Sequence, residues 1–208
     1  MTYITAIILI LFGFSCSSEQ VNSKLQTQGY SAIENVEEFI KSDVSSSISR
    51  TYDLETTEIA SRILDFENNC DQCKYPISYV KDVKVIESSD SSVYLWQHIQ
   101  KGIWLIKINS YSVLKVTQYK AEDNSKIVID MKSPEAKVAN KIAQDNNLKN
   151  DASFEFLHIR AIISKTETGS KIEIKVTAKP QGIAKRAPRR ILKGELESTT
   201  RSIADAIE

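Results

Sequence analysis

The sequence predicts an α+β fold in which a curved antiparallel sheet is wrapped around a long C-terminal helix. Three observations carry that expectation. Ile172, Ile174, Val176 and Ala178 alternate with Lys171, Glu173, Lys175 and Thr177, the period of two that gives a strand one dry and one wet face. Beyond Lys179-Pro180-Gln181-Gly182 the period turns helical, with Leu192, Leu196, Thr199, Ile203 and Ile207 on one face. Between these and the start of the chain, short turns separate strands with one-sided alternation, which makes the sheet antiparallel. Strands gathered together, with helices before and after, exclude a doubly wound parallel sheet. A bent sheet roofed by one helix leaves room for a cavity between them.

The elements follow in order. Residues 1–15 read as an export signal, because Ile4 to Phe14 is an apolar run shorter than the ~20 residues that span a bilayer. Gly13-Phe14-Ser15 leads into Cys16 and then into polar Ser17-Ser18-Glu19-Gln20. This resembles a bacterial lipoprotein signal peptide, in which Cys16 becomes the lipidated first residue. Two features depart from that pattern: no Lys or Arg precedes the run, and Gly13 stands where Leu is usual. The alternatives are an ordinary secretory signal cut near Ser15 and an uncleaved anchor. The resemblance implies attachment to a membrane surface through Cys16, in a bacterial cell envelope on its periplasmic or outer-membrane side.

Residues 16–43 form a polar tether, with a short amphipathic helix suggested by Ile33, Val36, Phe39 and Ile40. Val44 to Leu54 reads as a first strand. Thr56 or Thr57 is placed to cap a helix with apolar Ile59, Ile63, Leu64 and Phe66. Strands follow over Val80 to Glu87, Val93 to Ile99, Tyr111 to Tyr119 and Lys126 to Met131, punctuated by the turns at Ser88 to Ser91 and Glu122 to Ser125. Pro134, Ala136, Val138, Ile142 and Ala143 suggest a helix with Pro in its first turn. Two long strands from Phe154 onward precede the final helix.

Composition narrows the function. The chain has 208 residues, enough for one domain with extensions. Lys and Arg together number 27, as do Asp and Glu, so global charge predicts no nucleic-acid partner. The chain has 2 histidines and 3 cysteines. Cys70-Asp71-Gln72-Cys73 is a single C-x-x-C without a second pair or a neighbouring histidine, so no metal site is expected. In an oxidising compartment Cys70 and Cys73 read as a disulfide closing a small loop. No nucleophile elbow, P-loop or dinucleotide fingerprint occurs, and no side chain stands out as a general acid or base. The expectation is a monomeric binding module rather than an enzyme, without cofactor.

Residues 44–208 resemble the helix-grip superfamily of START domains, polyketide cyclases and Bet v 1 type proteins. Three stretches carry the resemblance: Ser49 to Leu54 leading into Thr56 to Asp65, Tyr75 to Glu87, and Thr177 to Arg186. Ala184 stands where the family usually has proline, and Lys179 where aspartate is usual. The resemblance implies a lipid or other hydrophobic small molecule held in a cavity of several hundred Å³, with the final helix as its lid. A cyclase- or aromatase-like enzyme and an envelope interaction protein with a filled cavity are the alternative functions.

The candidate ligand residues are Arg160 and His158, at mid-strand, where an inward guanidinium would hold a carboxylate or phosphate headgroup; the alternative is that both face outward or pair internally. Tyr94, Trp96 and Trp104 are candidate cavity walls, as are Ile129, Met131 and Ile174, for which core packing is the bland alternative. Lys185, Arg186, Arg189 and Arg190 crowd the start of the last helix, where cations oppose the helix dipole. They are candidate contacts to an anionic membrane, the alternative being a solvated basic face.

Overall fold

A computed structural model of the chain describes residues 27–29, 44–66, 79–87, 93–103, 106–182 and 184–207. Eight strands form one sheet: β1 (Thr27–Gly29), β2 (Val44–Tyr52), β3 (Val80–Glu87), β4 (Val93–Ile103), β5 (Ile106–Lys120), β6 (Lys126–Lys132), β7 (Phe154–Thr166) and β8 (Gly169–Pro180). Among the described residues, three α-helices accompany them: α1 (Thr56–Leu64), α2 (Ala136–Asp145) and α3 (Arg189–Asp205). The spatial order is β2-β8-β7-β6-β5-β4-β3, with every neighbouring pair antiparallel. This is the curved antiparallel sheet with a C-terminal helix that the alternation predicts.

Burial separates the two faces of the sheet. The inner face carries Val85, Leu95, Leu114, Val116, Ile129, Met131, Leu157, Ile159, Ile174 and Val176, which join the main core under α1 and α3. The outer face carries Ile86, Tyr94, Trp96 and Val113, which pack with Ala139, Ile142 and Ala143 of α2. A register shift between Phe154 and Phe156 in β7 turns the next residues over, so that Phe154 and Leu157 both line the inside. Such a bulge reverses the parity on which face assignments rest.

Local chemistry sets the boundaries, and some differ from expectation. No threonine caps α1: Glu55 holds the N-cap position without a side-chain bond, while the Thr56 hydroxyl donates to the Asn124 carbonyl at 2.8 Å. Pro134 lies ahead of α2, whose N-cap is Glu135. At the β7–β8 turn Gly169 has φ +144°, and a Cβ there would sit 2.2 Å from the Tyr52 carbonyl oxygen. Within the stretch expected as tether, β1 pairs in parallel with Gln118–Lys120. A backbone ladder needs no side-chain pattern, so composition could not reveal it. The short helix expected around residues 32–41 lies outside the described residues.

Candidate functional site: a cavity between the sheet and the last helix

The inner face and α3 border a cavity of about 120 Å³ that is partly open to solvent. Its floor is Leu95, Gln97, Met131, Leu157, Ile159 and Val176, and its roof is Leu192, Leu196, Thr199, Ile203 and Ile207. The roof is the helical stripe read from the sequence: spacings of three and four put these five side chains on the face that meets the sheet. Ile63 and Phe66 at the end of α1, with Tyr79 and Val80 at the start of β3, complete the wall. The volume is well below the several hundred Å³ expected.

Few polar groups enter the cavity. The Gln97 amide donates to the Ser112 hydroxyl at 3.1 Å, which satisfies one of its protons inside the sheet. Burial pushes the Tyr79 phenol well above its ordinary range, and the Thr199 hydroxyl beside it offsets only part of that rise. Tyr79 therefore stays neutral throughout the physiological range. Arg62 and Glu195 are the charged lining residues, and both remain partly exposed.

The two ends of α3 differ in their surroundings. At its carboxyl end the Tyr52 hydroxyl donates to the Ala204 carbonyl at 2.7 Å, and the Arg62 guanidinium donates to the Ile207 carbonyl at 2.5 Å. Arg62 also donates to Glu58 at 2.8 Å, and Arg50 pairs with Asp205 at 2.5 Å. Donors and cations there satisfy the last carbonyls and complement the negative end of the dipole. At the amino end Pro188 is the N-cap without a side-chain bond, and the first turn contains no acid. Lys185, Arg186, Arg189 and Arg190 are all exposed there.

The predicted ligand residues divide between the faces. Met131 lines the cavity, while Ile129 and Ile174 are fully buried in the core around it. Tyr94 and Trp96 lie on the outer face under α2, with the Trp96 indole donating to the Lys149 carbonyl at 2.7 Å. Arg160 and His158 also point outward, which corrects the inward orientation considered for them. Asp130 explains why they can be buried there. Arg160 donates to both its carboxylate oxygens at 2.8 Å, and the His158 ring contacts one of them at 2.9 Å. Burial alone would raise the Asp130 carboxyl, but the bonds from His158 and Arg160 outweigh it and hold it below its usual range. This is a charge cluster built into the sheet, away from the cavity. Trp104, Cys16, Cys70 and Cys73 lie outside the described residues. Among those described, no group of three or more His, Cys, Asp or Glu converges to hold a metal.

The alternation of β4 hides its cavity residues, because both of its faces are buried. Leu95 and Gln97 share one parity and Tyr94 and Trp96 the other, and only the position of α2 decides between them. Arg62 carried a weak signal, as a cation in the last turn of an amphipathic helix.

Comparison with solved structures places this architecture. A STAR-related lipid transfer protein from Xanthomonas axonopodis superposes with a TM-score of 0.57 at 13% identity, over 78% of this chain and 82% of that one. The fold is the helix-grip fold. Human STARD10 superposes with a TM-score of 0.53 at 10% identity, over 81% of this chain and 66% of the other. The Zhui aromatase/cyclase from Streptomyces gives 0.50 at 7% identity, over 78% and 90%. The sequence itself matches no family model and no curated protein.

Proposed function

We propose that this chain binds a hydrophobic ligand, a lipid or a molecule of similar character, between the inner face of its sheet and α3. The observation that carries the reading is the cavity lining: the sheet's dry face and the apolar stripe of α3 face each other across open space. Similarity of fold to proteins named for lipid transfer supports it. An apolar lining suffices for affinity, since each buried CH₂ contributes about 0.8 kcal/mol.

The size of the cavity sets the mechanism. A void of about 120 Å³ compares with the ~150 Å³ that accepts a benzene-sized guest, so a full acyl chain requires α3 to move outward. The Tyr52 and Arg62 bonds hold its carboxyl end, and the opening this reading requires is a movement of the amino end. That end carries the exposed Lys185, Arg186, Arg189 and Arg190, each of which would gain about 1 kcal/mol near an anionic membrane. Lipidation at Cys16 would keep the domain beside such a surface in the cell envelope. The reading is of a monomeric carrier rather than a catalyst.

Native mass spectrometry of delipidated protein after exposure to a broad lipid panel tests this reading. Discrete adducts with one bound lipid are expected, and their absence across the panel would overturn it. Cys16→Ala tests the anchor separately, since unchanged membrane retention would point to another attachment.

A further inference from the structure

We infer that Gln118 is the polar anchor of the ligand site, taking a neutral hydrogen-bonding head, a hydroxyl or a carbonyl, behind the Met131 wall of the cavity. The inference rests on the ligand-binding reading above and adds the chemistry of the ligand. Gln118 is 1% exposed, and neither its side-chain nitrogen nor its oxygen has a hydrogen-bond partner. A carboxamide offers two donors and two acceptor sites, and buried polar side chains are almost always paired. An amide unpartnered at both ends therefore points to a group that arrives from outside the chain.

The register puts that amide within reach of the cavity. Gln118 follows Leu114 and Val116 on the inner face of β5, at the same parity as these two core residues. It lies opposite Ile129 of β6, while Val116 lies opposite Met131. Gln118 and Met131 are thus diagonal neighbours on one face, with Cα atoms about 7–8 Å apart. Met131 is itself a cavity wall. Methionine is unbranched and adapts its shape readily, so its rotation opens the path from the cavity to the amide.

The surroundings choose the kind of head. Ile127 and Ile129 on β6 and Val116 on β5 are buried in the main core. The charged Asp130 and Arg160 of the neighbouring strands lie on the outer face and are paired with each other. The described cross-strand neighbours of Gln118 on this face of β6, Ile127, Ile129 and Met131, carry no cation to meet a carboxylate or phosphate, which would be expelled from their midst. A hydroxyl or an ester carbonyl would be satisfied by the amide alone. The ligand class is therefore a neutral amphiphile, such as a long-chain alcohol or ester, entering head first.

The test compares wild type with Gln118→Leu and Gln118→Met, using displacement of the fluorescent probe N-phenyl-1-naphthylamine by 1-decanol and by n-decane. The preference for the alcohol, measured as the ratio of the two dissociation constants, should fall about tenfold in both variants, which is about 1.4 kcal/mol. Both unliganded variants should melt above wild type, because an unpaired buried amide is gone. A ratio unchanged in the variants overturns the inference while leaving ligand binding intact, and assigns the amide to buried water. Failure of both compounds to displace the probe from wild type overturns the ligand-binding reading, and this inference with it. Should both variants unfold, the carbonyl stretch of methyl decanoate bound to wild type decides. A shift to lower frequency is expected, and an unshifted band overturns the inference.

Discussion

Ala178→Leu sets stability against binding at a single position. Ala178 is 1% exposed on β8 and lines the cavity, where it pairs with Val44 on one side and Leu157 on the other. Empty volume destabilises by about 24 cal/mol per Å³. For about 120 Å³ that amounts to about 3 kcal/mol. Three added carbons recover up to about 2.4 kcal/mol of transfer free energy, offset by a packing strain of about 1–3 kcal/mol. The net expectation lies between a gain of about 1.4 and a loss of about 0.6 kcal/mol, read from urea unfolding as a midpoint little displaced at an unchanged slope. The same leucine occupies space that a ligand needs, so affinity for N-phenyl-1-naphthylamine should fall at least tenfold, about 1.4 kcal/mol. Higher stability with undiminished binding would show that the ligand goes elsewhere. A loss well beyond that range would show that the space beside Ala178 is not open.

Other perturbations separate the lid, the outer face and the charge cluster. Tyr52→Phe removes the bond to the Ala204 carbonyl, worth about 1 kcal/mol. Amide exchange in the last turn of α3 should quicken about fivefold while the rest of the sheet is unchanged; uniform acceleration would contradict a local hold. Trp96→Ala on the outer face should destabilise by about 3–5 kcal/mol and leave probe affinity as in wild type. Asp130→Asn leaves Arg160 buried without its carboxylate partner and should cost about 3–5 kcal/mol. The Asp130 carboxyl is held below its usual range in the folded protein, so its contribution is complete above the unfolded value near 3.9. It is lost as pH falls through the lower folded value. Acid unfolding of Asp130→Asn should therefore be flatter in that window, and an unchanged pH profile would remove Asp130 from the account.

Much of this architecture is legible in the sequence where one face of an element is dry and the other wet. β8 has that pattern, and Ile172, Ile174 and Val176 are fully buried. The stripe of α3 likewise became the roof of the cavity. Legibility fails where both faces are covered. In β4 and β7 apolar or aromatic residues occupy both parities, so nothing local says whether Trp96 or Leu95, Arg160 or Ile159, faces inward. The answer came from α2, an insertion packed on the outer face, and from a bulge at Phe154 to Phe156. Asp130 was also hard to place, because in Ile127-Val128-Ile129-Asp130-Met131 it looks like the polar side of an amphipathic strand. Its bonds to Arg160 depend on a cross-strand register that alternation does not specify. Cavity size was the least readable quantity, since it depends on how the side chains of two layers interlock.

Whether a greasy guest enters between α3 and the sheet is open to direct observation. Crystals grown with 1-bromodecane should show an anomalous bromine peak among Met131, Leu196 and Ile203, with the amino end of α3 displaced from its closed position. Bromine found only on the outer surface, beneath an α3 still closed over its cavity, would contradict the account.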